Sequence, residues 1–211
     1  NFICSHFDME KGEGLELARK YQVRAYPTLL FLDPAGEVVH VRVGAPRKAK
    51  DYVDMGNVAL TPGEGYSAYM KRYTEGERSP EFMLNFFDRL QGAYQPVTEP
   101  LAAYFQTQKD EDLLSSVNWQ IINNFVWDMN AREFQYLLKH RAQFSTAYTK
   151  QAVDAKITNV FNQALYTLAR SQAFNENAYN TLKESILASG FEGAAGIIEN
   201  FEQTIRPANK K

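Results

Sequence analysis

The chain has 211 residues, of which 45% are apolar and 23% charged, and its formal charge at pH 7 is −2. This is the ordinary balance of a globular protein, and the length allows one large domain or two modest ones. Because basic residues are not in excess, nucleic acid is not an expected partner. No apolar run is long enough to predict a membrane span.

The first part of the chain predicts alternating strands and helices. Phe2–Phe7 has the composition of a strand, and a polar turn then leads into a helix with Leu15, Ala18 and Tyr21 on one face. The uncharged run Thr28–Leu32 predicts a strand that is buried on both faces of a sheet.

A tight turn and a second strand follow this buried run. Asp33, Pro34 and Gly36 occupy the i, i+1 and i+3 positions of a type I turn. Valines alternate with polar residues along Val38–Val43, which predicts a half-exposed edge strand antiparallel to the one before it. Pro46 then predicts the start of a helix, so the expected element order is β-α-β-β-α.

Five short stretches of this region resemble, in order and spacing, the second half of a thioredoxin domain. They are Phe7-Asp8, Leu17–Tyr21, Val23–Thr28, Gly36–Val39 and Val43–Ala45. The resemblance implies a partial thioredoxin-like α/β fold for residues 1–60 and thiol–disulfide oxidoreductase or isomerase activity on a protein or peptide that carries a disulfide. It also implies a bacterial protein of the periplasm or cell envelope that needs no cofactor. The Cys-x-x-Cys that performs the redox chemistry of this family does not occur in the sequence, so we expect these residues alone to be catalytically incompetent.

Tyr26-Pro27-Thr28 resembles the proline loop that faces the dithiol in thioredoxins. In that family the X-Pro bond is cis, and the residue before the proline pairs through its backbone with the substrate. A trans proline that opens a strand is the alternative for an isolated X-Pro step. With the surrounding matches we predict a cis bond, and Tyr26, Pro27 and Thr28 are the candidate substrate-binding residues.

The resemblance also predicts a gap in the sheet. In the thioredoxin fold a strand of the first half lies between the strands that correspond to Phe2–Phe7 and Thr28–Leu32. Its absence leaves a gap of about 9–10 Å, two inter-strand spacings, and unpaired backbone groups that cost about 1–3 kcal/mol each. We therefore expect about 50–60 further residues before Asn1 in the biological protein. Otherwise the two edges pair directly or a second chain fills the gap.

The cysteine and the histidines add little chemistry. Cys4 is the only cysteine, which excludes an intrachain disulfide and a zinc site of several cysteines. It is either an accessible redox or peroxidatic thiol or, as we predict, a small residue buried on a strand. His6, His40 and His140 have no metal-ligand spacing, which indicates structural or solvated side chains and no metal site.

Residues 61–211 predict a helical domain. Thr61–Gly65 marks the boundary, and the apolar positions beyond it follow helical spacing. Ser79-Pro80 has the residues of an N-cap and first helical position, Asn130 begins a capping-box pattern, and Asn175 predicts another cap. Seven or eight helices with short connections predict antiparallel pairs, arranged as a bundle or as a stack of helical hairpins.

Most aromatic residues of this domain have the spacing of helix-packing core. Tyr66, Tyr69 and Tyr73 are the candidates for a surface role, because a hydroxyl allows a ring to lie half in water. The acidic cluster Asp110–Asp112 and the terminal Lys210-Lys211 indicate solvated charge. We find no paired carboxylates, Ser/His/Asp set or phosphate-binding glycine loop.

Two functions are compatible with these patterns. The first is a fragment of a thioredoxin-like oxidoreductase, whose dithiol lies in a part of the protein that precedes Asn1. The second is a redox-inactive thioredoxin-like protein that binds a protein or peptide through its helical domain. The oligomeric state is not readable from the sequence.

Overall fold

The computed structural model describes residues 2–172 and 174–204. Among these residues the structure is mostly helical, at 63%, with 11 α-helices, one 3₁₀ helix and one two-stranded antiparallel sheet. It divides into two compact units, of which the first runs to Leu101 and the second begins at Ala102. The coarse prediction of a short α/β segment followed by a helical segment is confirmed.

The first unit begins with a helix, a β-hairpin and three more helices. These elements are α1 Glu13–Lys20, β1 Thr28–Leu32, β2 Val38–Val43, α2 Ala49–Leu60, α3 Tyr66–Thr74 and α4 Pro80–Gly92. Strand β1 pairs with β2 in a register that places Thr28 opposite Val43 and Phe31 opposite His40.

The predicted turn between the strands is confirmed. Oδ1 of Asp33 accepts hydrogen bonds from the backbone N–H groups of Ala35 at 2.8 Å and Glu37 at 2.9 Å. Gly36 has a φ of 82°, a left-handed conformation that glycine adopts without steric cost. The hydroxyl of Tyr21 donates to the carbonyl of Gly36 at 3.1 Å, which fixes the end of α1 to this turn.

The prediction of a strand at Phe2–Phe7 is wrong. The segment has no regular secondary structure, and the side chain of Ile3 is 100% exposed. The ring of Phe2 contacts that of Phe31 with centroids 5.6 Å apart, so the segment approaches β1 through a side chain. A strand needs a neighbour for its backbone hydrogen bonds, and the described residues provide none at this position.

Strand β1 exists where it was predicted, but the expected burial on both faces is wrong. Thr28–Phe31 are half-buried and Leu32 is exposed. The apolar run was interpreted as a central strand, whereas β1 has β2 on one side only within the described residues. A two-stranded ribbon cannot cover its own strands in the way that a larger sheet does.

Helices α3 and α4 pack against β2. The Ser67 hydroxyl donates to the Val38 carbonyl. A Cβ on Gly65 would lie 2.4 Å from the Val39 carbonyl oxygen, so only glycine allows this close approach. The predicted division into residues 1–60 and 61–211 stays a prediction. The two compact units are divided along the chain between Leu101 and Ala102.

The second unit is entirely helical within its described residues. After α5, Thr98–Thr107, the elements are a 3₁₀ helix Asp110–Leu114, α6 Ser116–Phe125, α7 Arg132–Lys139, α8 Arg141–Tyr148, α9 Lys150–Arg170, α10 Glu176–Ala188 and α11 Ala194–Thr204. Val153, Ile157, Val160, Phe161 and Leu165 of α9 are fully buried. Their spacing places them on one face, and α9 is therefore the helix around which this core is built.

Helix starts and stops were predicted with mixed success. Ser79 and Pro80 occupy the expected first positions of α4, and the Asn175 side chain accepts from Ala178 N–H at 2.8 Å. The capping box at Asn130 is wrong, since Ala131 is the N-cap of α7. Asn130 N–H instead donates to Asp128 Oδ1 at 2.8 Å in the preceding turn.

The number of helices after residue 61 was underestimated. The described residues contain nine α-helices and a 3₁₀ helix there, and two of these helices, α8 and α9, are separated by a single residue. Thr149 separates the two with a φ of 79°, and its hydroxyl accepts from Ala152 N–H at 3.3 Å. Threonine is a common N-cap residue, but a β-branched residue rarely adopts this conformation, so the break was not predicted.

Candidate functional site

A large open cleft lies in the first unit. Its volume is about 1870 Å³. Its walls are the segment Phe2–Glu10, the strand β1 with the loop before it, and the face of α2 that carries Tyr52, Val53 and Leu60.

The cleft is apolar, and the side chains that line it are not covered by other parts of the chain. Eight large hydrophobic residues of the lining are exposed, namely Phe2, Ile3, Phe7, Tyr26, Leu32, Tyr52, Val53 and Leu60. The only buried residues between positions 2 and 60 are Gly14, His40 and Gly56. Contiguous apolar surface on this scale is rare on a monomeric protein and is typical of an interaction site.

The backbone of β1 offers hydrogen-bonding groups to this cleft. Gly44 N–H donates to the carbonyl of Pro27 at 2.8 Å, so Pro27 faces β2. Backbone groups alternate in direction along an antiparallel strand, and therefore Leu29 and Phe31 also bond to β2 while Thr28 and Leu30 point away from it. Among the described residues β1 has no second partner strand, so this edge is open.

The predicted substrate-binding residues lie together at the rim of the cleft. The Tyr26–Pro27 peptide bond is cis, as predicted. The side chain of Tyr26 is 56% exposed, and all three residues of the loop line the cleft. The Thr28 hydroxyl donates to the carbonyl of Ala25 at 2.6 Å, which holds the loop at the start of β1.

The prediction that Cys4 is buried is wrong. Its side chain is exposed and lines the cleft. The burial was expected from a strand at Phe2–Phe7, and it is lost with that strand. No described cluster of histidine, cysteine and carboxylate residues could hold a metal ion.

The three histidines have different environments. His6 is exposed in the segment that precedes α1. His140 stacks on Tyr136 with ring centroids 4.1 Å apart, a structural contact. His40 is only 7% exposed, and its Nδ1 has no hydrogen-bond partner among the described residues. The alternation along β2 predicted valines as the inward residues, so this burial was missed.

A buried lysine in the second unit was also missed. Lys156 Nζ donates to the carbonyls of Asn123 at 2.9 Å and Val126 at 2.5 Å, and lies 4.1 Å from the Trp127 ring centroid. Burial lowers the pKa of Lys156 to about 8. The sequence held a signal for this position, because Lys156 falls on the apolar face of α9 between Val153 and Val160.

The other candidates are structural where the chain is described. Tyr69 is buried and stacks on Phe82 at 5.2 Å, and Tyr73 stacks on Phe86 at 4.3 Å, which leaves Tyr66 half-buried without a ring partner of this kind. Asp112 of the acidic cluster accepts from Lys109 N–H at 3.0 Å and caps the 3₁₀ helix. Lys210-Lys211 lie outside the described residues.

Comparisons with protein-family models, with curated proteins and with solved structures found no match. No helix of the described residues combines the length and the apolar character that crossing a membrane requires.

Proposed function

We propose that this chain carries the substrate-binding half of a thioredoxin-like thiol–disulfide oxidoreductase. In this proposal the redox dithiol belongs to a polypeptide segment outside the 211 residues, because Cys4 is the only cysteine in the sequence. The order of helix, proline loop, hairpin and helix in α1, β1, β2 and α2 supports it, as does the position of Tyr26-Pro27-Thr28 at a cleft.

The observation that carries the proposal is the open cleft beside the free edge of β1. A further strand placed there would pair with the outward backbone groups of Thr28 and Leu30 and would cover the exposed apolar residues. A strand between β1 and the segment Phe2–Phe7 requires a gap of about 9–10 Å, twice the inter-strand spacing. The polypeptide with the dithiol would thus complete the sheet and bring its cysteines close to the loop at Tyr26.

The chain's own contribution to the reaction is to hold the substrate. The exposed side chain and the backbone of Tyr26, the residue before Pro27, would align an extended peptide at the rim of the cleft. One thiolate of the external dithiol attacks a substrate sulfur, a mixed disulfide forms and the other substrate sulfur leaves as a thiolate. The second cysteine then breaks the mixed disulfide, so that the substrate gains two electrons and the dithiol becomes a disulfide.

Insulin reduction by the natural full-length protein tests this function. The folded, reduced protein should reduce insulin, and Tyr26→Ala should lower kcat/KM about 5–30-fold, as expected for an exposed aromatic anchor at a binding surface. Tyr166→Ala is the matched control, since Tyr166 is an exposed tyrosine of α9, 39% accessible, which does not line the cleft. A folded full-length protein without activity would leave only the redox-inactive binding function.

Amide exchange tests the structural part separately. In the 211-residue chain the N–H groups of Thr28 and Leu30 should exchange faster than those of Leu29 and Phe31, which bond to β2. In the full-length protein all four should be protected. Fast exchange of Thr28 and Leu30 in both proteins would show that no strand occupies the cleft, whatever the activity.

A further inference from the structure

The contact between the hairpin of α3 and α4 and the sheet is built around His40. The imidazole projects from β2 into a small pocket of about 140 Å³, whose other walls come from α2 and α4. The residue is 93% buried (7% exposed), and Nδ1 has no hydrogen-bond partner among the described residues. Burying a polar atom without a partner is unfavourable, and burying a charge without one is far more so.

The charged groups around the pocket are two arginines and two aspartates, and each aspartate already pairs with a cation of its own helix. Arg42 follows on β2, and Asp88 and Arg89 approach from α4. Arg89 is already bonded through Nε to the Glu64 carbonyl at 3.1 Å and through Nη1 to Asp88 at 3.3 Å.

The remaining wall of the pocket, α2, contributes one charged group. Its carboxylate is that of Asp54, which pairs with Lys50 at 2.5 Å. Both carboxylates that face the pocket, Asp54 and Asp88, thus pair with cations of their own helices, and two guanidinium groups face the same space.

The helical hairpin of α3 and α4 is attached to β2 on both sides of His40. Ser67 of α3 donates to the Val38 carbonyl, two residues before His40. On α4 the backbone at Gly92 lies against the Arg42 side chain, which an added Cβ would meet at 2.8 Å. His40 therefore lies between the two contacts that hold α3 and α4 to β2.

We propose that His40 is an acid-sensitive catch, which keeps the α3–α4 hairpin packed on β2 while the imidazole is neutral and releases it when the imidazole is protonated. A protonated ring in the closed pocket would add an unpaired positive charge beside Arg42 and Arg89. Opening the hairpin admits water to the ring and removes that cost. This inference does not depend on the proposed function.

The direction of titration agrees with the geometry. Burial, followed by the charges of Arg89 and Arg42, lowers the pKa of His40 from 6.5 to about 4, and Asp88 opposes this only in part. The open form, with an ordinary pKa, therefore binds more protons than the closed form between these two pH values. The closed form is favoured above this window and loses its advantage as the pH falls through it. Between pH 7 and pH 5 the open population should rise about 20-fold.

Hydrogen–deuterium exchange of the 211-residue protein measures this directly. Protection factors, corrected for intrinsic exchange, should fall about 20-fold from pH 7 to pH 5 for the amides of α3 and α4. Those of α9 should stay unchanged, which separates local opening from global unfolding. Unchanged protection of α3 and α4 at pH 5 would overturn the proposal.

Two variants assign the response. His40→Gln remains neutral at every pH and should abolish the pH dependence of α3 and α4. His6→Gln, which removes an exposed histidine of the same unit, should retain it. If His40→Gln weakens the contact at all pH values, the imidazole titration of the wild-type protein by NMR decides. A midpoint well below 6.5 supports the catch, and a midpoint near 6.5 contradicts it.

Discussion

The first sixty residues and the second unit use apolar residues in opposite ways. Among the described residues from Tyr104 to Phe201, 25 apolar side chains are buried and three large ones, Trp127, Tyr166 and Leu187, are exposed. Between positions 2 and 60 no apolar side chain is buried apart from glycines, and nine large ones are exposed.

The difference shows that burial is decided by the number of neighbours an element has. Helix α9 is packed by α8, α10 and α11, so its apolar face is fully covered. Strand β1 is more apolar in composition than α9 but has only β2 beside it within the described residues. A two-stranded hairpin is at best marginally stable without further strands or helices on its face.

The largest expected change in stability lies in the core of the second unit. Phe161→Ala should reduce the free energy of unfolding by about 3–5 kcal/mol, because a fully buried ring is replaced by a cavity. The ring lies against Phe134 at 5.7 Å and Phe191 at 6.2 Å. Urea denaturation followed by circular dichroism measures the change. Phe7→Ala, at an exposed position of the cleft, is the matched control and should change it by less than about 0.5 kcal/mol.

The second-largest expected effect is the pH dependence of stability that Lys156 causes in the second unit. The folded pKa of Lys156, about 8, lies below its unfolded value of 10.5, so the unfolded chain binds more protons between them. The free energy of unfolding of the second unit should therefore rise by about 2–3 kcal/mol as the pH increases from 8 to 10.5. Thermal unfolding across this pH range measures it. In the first unit, by contrast, acid should weaken the contact of α3 and α4 with β2, as proposed for His40. In Lys156→Met the alkaline gain should be absent, and a retained gain would contradict the assignment.

A smaller effect is expected at the break between α8 and α9. Thr149→Gly should stabilise the protein by about 0.5–1 kcal/mol, since glycine removes the cost of a φ of 79° and loses only part of the cap. Thr146→Gly, inside α8, should instead destabilise by about 0.3–0.5 kcal/mol, the difference between the helix propensities of threonine and glycine. Equal losses for the two variants would show that Thr149 does not have the described conformation.

The smallest expected change in stability lies in the cleft, where a substitution should instead reduce the exposed apolar surface. Val53→Ser removes an apolar side chain that is 62% exposed and should alter the unfolding free energy by less than about 0.5 kcal/mol. It should nevertheless lower the fluorescence of a bound hydrophobic dye. Leu187→Ser, on the exposed face of α10, is the control and should leave the dye signal unchanged.

Local signals predicted the elements whose cause is local. The Asp33–Gly36 turn, the start of α4 at Ser79-Pro80 and the cap at Asn175 all depend on side chains within a few residues, and all were correct. The loop Tyr26-Pro27-Thr28 was predicted from the family resemblance; its peptide bond is cis and it lines the cleft, and its role in substrate binding stays a prediction. The N-cap of α7 at Ala131 had no such signal, and the cap at Thr149 was missed because a β-branched residue rarely adopts a positive φ.

The amino-acid sequence by itself determined the helical periodicity of the long second part and the strands, turn and proline loop of the first. Only the tertiary structure decided that Phe2–Phe7 forms no strand, that Cys4 is exposed and that His40 and Lys156 are buried. Hydrogen-bond partners for a strand and burial of a side chain are supplied by residues distant in the chain. A local pattern states what an element can bury, and the elements that pack against it decide what is buried.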